Sequence, residues 1–74
     1  MSTTLTNEEK LSVVNQHIKS VEYSIYGSEL DLIEANAASS PDAAHIAAIN
    51  TRLSEANAKK TALIAERDSL TLSE

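Results

Sequence analysis

The side chains in this sequence best suited to chemistry are two histidines, His17 and His45, and the carboxylates Glu29, Asp31 and Glu34. Imidazole is a common metal ligand and the usual general base near neutral pH. Two imidazoles beside carboxylates would make a metal site or an acid–base pair. The spacing does not favour either. Helical bundles that hold two metal ions need Glu-x-x-His on two helices, and the three carboxylates do not follow that pattern. The sequence contains no nucleophile motif, no glycine-rich phosphate loop and no His-Glu-x-x-His. It has no cysteine, which removes thiolate metal sites and disulfides. The expectation is a protein that is not an enzyme, with no catalytic residue, metal, cofactor or small-molecule substrate.

Which of these residues can meet depends on the elements that carry them. One glycine and one proline leave little material for turns, so a β-rich fold is unfavourable. Alanine, leucine, isoleucine, glutamate and lysine supply much of the chain and suit helices. The chain turns once, in the stretch Ala37-Ala38-Ser39-Ser40-Pro41-Asp42-Ala43-Ala44. There Ser40 is placed to cap a helix, Pro41 suits its first position, and Asp42 complements the positive end of its dipole. Proline also disfavours helical geometry at the residue before it, so a preceding helix stops by Ser39. A kink in one continuous helix is the other reading of Pro41.

The first helix is predicted over about residues 7–38. Thr6-Asn7-Glu8-Glu9 matches the capping box, in which the threonine and the glutamate three residues on cap each other. Leu11, Val14, Ile18, Val21, Ile25 and Leu32 form one apolar stripe, with a gap at Ser28. A second stripe, Tyr26, Leu30, Ile33 and Ala37, appears beside it toward the turn. Gly27 leaves three readings open: a continuous helix, a break that makes three helices, or a bare position where another backbone approaches.

The second helix is predicted over about residues 41–72. Ile46, Ile49, Leu53, Ala56, Lys60, Leu63, Arg67 and Leu70 keep a three-four rhythm. Lys60 and Arg67 interrupt the apolar seam. Either they select register, or their stems lie along the seam while the charges reach water. Folded at the turn, the chain sets residues whose numbers sum to about 79 opposite each other. Ile33 then meets Ile46, Leu30 meets Ile49, and Tyr26 meets Leu53. In this register His17 and His45 lie near opposite ends and cannot share a metal, while His45 sits across from Glu34. Glu55 and Lys59 are spaced as a surface ion pair.

The fold class is therefore all-α: an antiparallel two-helix hairpin within a single domain spanning residues 1–74, with residues 1–6 and 73–74 flexible. One partner helix covers one stripe, so the second stripe calls for another chain. A four-helix bundle or coiled-coil oligomer follows, a dimer being the simplest closed form. Tyr26, Leu30, Ile33 and Ala37 are the expected self-association residues.

Charge narrows the partners. The net charge is −5 and the chain has six Lys and Arg in all, too few to neutralise a phosphate backbone, so no nucleic acid is expected. No apolar run reaches the ~20 residues of a membrane span. Met1-Ser2-Thr3-Thr4 lacks the basic start and apolar core of a secretory signal, which points to the cytoplasm. Between Ser20 and Thr51 there are five acids, Glu22, Glu29, Asp31, Glu34 and Asp42, and no Lys or Arg. The bland reading of this acidic tip is solubility. The functional one is a contact for one host or viral protein with a basic surface, through Glu29, Asp31, Glu34 and Asp42.

The stretch from Tyr23 to Ala37, Ser40-Pro41-Asp42 after it, and the closing Ala65-Glu66-Arg67-Asp68-Ser69-Leu70 resemble small helical proteins of tailed phages that infect marine cyanobacteria. The resemblance covers most of the chain. It implies a viral accessory or virion protein made in the host cytoplasm, and it assigns no site residue.

Overall fold

The computed structural model describes residues 4–72 and consists of two helices, α1 (Asn7–Ala37) and α2 (Ala43–Leu72). The flexible ends expected at residues 1–3 and 73–74 lie outside the described residues. Residues 4–6 carry no regular secondary structure, but Thr6 is engaged. Its hydroxyl accepts from the Glu9 N–H at 3.1 Å, and its own N–H donates to Glu9 Oε1 at 2.9 Å. This is the reciprocal cap the sequence predicts, and it starts α1 at Asn7.

α1 runs through Gly27 without a break. No residue of the described chain has a positive φ. A glycine in mid-helix costs about 1 kcal/mol against alanine, too little to stop a helix whose neighbours pack on both sides of it. α1 ends one residue before the expected position, with Ala38 already extended at φ −62°, ψ 147°.

The start of α2 differs from the sequence reading. The cap is Asp42, not Ser40. Asp42 Oδ1 accepts from the N–H groups of Ala44 and His45 at 3.0 and 3.3 Å, and the helix begins at Ala43 instead of Pro41. Both residues are good caps, but a carboxylate at the positive helix end adds charge to the hydrogen bond, so the later position wins. Pro41 then stands outside the helix.

The two helices pack along one seam. On α1 the covered positions are Asn7, Leu11, Val14, Ile18, Val21, Ile25, Ser28, Leu32 and Ala35. On α2 they are Ile46, Ile49, Leu53, Ala56, Lys60, Leu63, Arg67 and Leu70. Both series alternate steps of three and four, the spacing that keeps side chains on one stripe. Lys10 and Ile64 flank the seam and are half-covered. Ile49 is fully buried, and Ile18 and Leu70 nearly so. The antiparallel register is the expected one, but the facing residues are not. Tyr26, Leu30 and Ile33 point outward, and Ile25, Ser28 and Leu32 occupy the seam at the level of Leu53, Ile49 and Ile46. Both stripes of α1 are apolar, and α2 covers the one that continues along the whole helix.

Polar contacts between described residues also tie the hairpin across the seam. Lys60 Nζ meets Glu22 Oε2 at 3.3 Å near the middle, and the Asn7 side-chain amide donates to the Leu70 carbonyl at 3.4 Å at the open end. Polar residues within the helices turn back on their own backbone. The Thr51, Thr61 and Thr71 hydroxyls and the Asn36 and Asn57 amides each donate to the carbonyl four residues earlier. The result is a rod of 53 × 20 × 15 Å.

Candidate functional site

The outer face of α1 is the feature that the hairpin leaves without a covering element. Tyr26, Leu30 and Ile33 are 62%, 41% and 64% exposed, and Ala37 is exposed at the end of the helix. Tyr23, 71% exposed, extends the same stripe one step toward the open end. The sequence reading missed it, although its spacing of three from Tyr26 was the available signal. The positions 23, 26, 30, 33 and 37 repeat the three-four rhythm of the seam. α1 is thus amphipathic in two directions, with one stripe on α2 and the other in solvent. Lys19 Nζ lies 5.9 Å from the centre of the Tyr23 ring, within cation–π range.

Acids surround this face. Glu29, Asp31 and Glu34 are exposed and make no ion pair with a described residue, whereas Glu22 is held by Lys60. Asp42 is exposed too, but its carboxylate is occupied by the α2 cap. The acidic tip of the sequence reading therefore divides into three open carboxylates on α1 and one structural residue. Glu34 lies in the last turn of α1, which carries no basic residue. A negative charge there opposes the helix dipole.

Two open grooves lie beside the helices. An open groove of about 380 Å³ lies along one side of the helix pair, with Ser20, Ser24 and Ser28 from α1 and Arg52, Glu55 and Lys59 from α2. Glu55 and Lys59 line this groove without forming the expected ion pair. A second open groove, of about 320 Å³, lies toward the open end beside Leu5, Lys10, Val13 and Glu66. No polar or charged residue is buried among the described residues, so the titratable groups that line the two grooves are not desolvated.

His17 and His45 are exposed and apart, and His45 does not pair with Glu34. Among the described residues no three His, Asp or Glu side chains gather closely enough to hold a metal ion. No described helix is long and apolar enough to cross a membrane. Comparison with protein-family models, with curated proteins and with solved structures finds no match to this chain. Among the described residues, the uncovered face of α1 is the apolar surface that continues the three-four rhythm outside the seam.

Proposed function

We propose that this chain is a non-enzymatic structural or assembly part that works by self-association, with the Tyr23–Tyr26–Leu30–Ile33–Ala37 face of α1 as its contact surface. The observation that carries this reading is the area left open. The chain exposes 5448 Å² at a mass of 7.9 kDa, against about 4400 Å² for a compact monomer of that mass. The difference of about 1000 Å² per chain is close to the ~800 Å² that each partner contributes to a stable protein interface. Its radius of gyration of 16.7 Å likewise exceeds the ~11 Å of a compact chain of this length. A second hairpin laid against the first would give a four-helix bundle, with the outer stripe inside. A dimer is the smallest assembly that does this. Such a part fits the resemblance to phage proteins, as a virion or accessory component acting in the host cytoplasm.

A second reading is an adaptor or inhibitor that binds one host or viral protein with a basic surface. Glu34 favours it, because an acid in the last turn of α1 works against the dipole and gains nothing for the isolated hairpin. In this reading Glu29, Asp31 and Glu34 contact the partner.

Thermal unfolding at several protein concentrations tests the first reading. A self-associating chain melts at higher temperature as its concentration rises. Tyr26→Ser with Ile33→Ser should abolish that dependence while the helical signal is kept. A midpoint that does not move with concentration in the unaltered chain contradicts the proposal.

A further inference from the structure

The uncovered stripe of α1 has a charge at each end. Its steps of three and four run through Tyr23, Tyr26, Leu30, Ile33 and Ala37, and the next step toward the open end is Lys19. Beyond Lys19 the rhythm reaches Gln16 and Ser12, which are polar and exposed, so the apolar part stops there. Lys19 is exposed and makes no ion pair with a described residue. Its Nζ rests 5.9 Å from the centre of the Tyr23 ring. At the other end, the last turn of α1 has no basic residue, and Glu34 there is exposed and equally unpaired. The negative end of the helix dipole adds to that charge. Lys19 and Glu34 of one chain are fifteen residues apart, about 22 Å along the helix, and do not reach each other.

We infer that the stripe binds the same stripe of a second copy in the opposite direction, about a two-fold axis level with Ser28. Lys19 of each copy then stands at the end of α1 of the other, beside Glu34. This rests on the self-association proposed above and specifies its register. Antiparallel helices pair residues whose numbers have a constant sum, and a sum of 56 matches every position of the stripe. Tyr23 meets Ile33, Tyr26 meets Leu30, and Lys19 meets Ala37, each pair occurring twice. Both tyrosine rings pack on aliphatic side chains. Lys19 supplies the positive charge that the last turn of its neighbour's α1 lacks. The register one heptad away leaves Tyr23 and Lys19 facing the turn. Pairing in the same direction sets each residue against its own copy, Lys19 on Lys19 and Glu34 on Glu34, and like charges so placed oppose association. In the reversed register the two copies of Glu29 come near the axis, but they are exposed, where salt screens them.

Charge exchange tests this register, because coupling between positions 19 and 34 can pass only between copies. Lys19→Glu and Glu34→Lys, alone and combined in one chain, are compared with the unaltered chain by sedimentation, with circular dichroism on the same samples. Each single variant is expected to dissociate at about tenfold higher concentration, since two exposed ion pairs are lost per dimer. The doubly substituted chain should regain the original affinity. Glu34→Lys is the sharper variant, because it lowers the net negative charge and would tighten association if overall repulsion alone mattered. Unchanged or tighter association of Glu34→Lys, or a combined chain no tighter than the single variants, overturns the reversed pairing and leaves self-association standing. An unaltered chain that is monomeric at every concentration overturns self-association and this inference with it.

Discussion

Lys60 Nζ and Glu22 Oε2 stand 3.3 Å apart across the hairpin, and Lys60 occupies a seam position where the rhythm of α2 calls for an apolar side chain. The pair is partly solvated, with the two side chains 34% and 45% exposed. Its direct contribution to stability is therefore about 0–1 kcal/mol. Glu22→Gln should lower the denaturant midpoint only slightly. Lys60→Leu should raise it, because an apolar residue then fills the seam. A loss of more than about 2 kcal/mol on Glu22→Gln would show that the pair is far more shielded than its exposure indicates.

Gly27 offers a gain in stability. It is exposed and helical, and a Cβ added there would meet no atom within 4 Å. Gly27→Ala should stabilise the hairpin by about 1 kcal/mol, read from thermal or denaturant unfolding. If the substitution instead weakened self-association in sedimentation, the bare glycine would be a place where a second backbone approaches.

The turn provides a paired test of the helix start. Asp42→Ala removes the acceptor for two backbone N–H groups and should cost about 1 kcal/mol. Ser40→Ala should change little. Equal losses from the two substitutions would mean that the cap is shared.

The two stripes of α1 and its seam partner on α2 should respond oppositely to truncation. Ile49 is fully buried, and Ile49→Ala should destabilise the chain by about 2–5 kcal/mol and reduce helicity. Ile33 is 64% exposed in the hairpin. Ile33→Ala should leave the unfolding midpoint at low concentration nearly unchanged and weaken association. Similar effects of both substitutions on the dilute chain would show that the outer stripe packs within the hairpin.

Much of this architecture is legible in the residues, and the exceptions share a cause. The seam could be read because Leu11 through Leu32 and Ile46 through Leu70 repeat at three and four, and only a helix gives that spacing one face. The Thr6–Glu9 cap could be read because its partners are local. What could not be read depends on rotation about a helix axis. Tyr26, Leu30 and Ile33 stand at the levels of Leu53, Ile49 and Ile46 but face away from them, since two apolar stripes compete for one partner and spacing alone does not rank them. The Glu22–Lys60 contact was missed for the same reason, because a cross-helix pair needs the orientation of both helices. The cap moved from Ser40 to Asp42 because both residue types cap well, and only the backbone decides between them. Of the candidate site, the outer stripe and the acids were legible as residues, while Asp42 proved to be structural.

The most direct measurement is the mass of the unaltered chain in solution, by sedimentation over a wide concentration range, with far-ultraviolet circular dichroism on the same samples. Self-association through the outer face of α1 predicts a strongly helical species of twice the 7.9 kDa chain mass, dissociating only on dilution. A helical monomer at every concentration would contradict it and leave that face to a different protein.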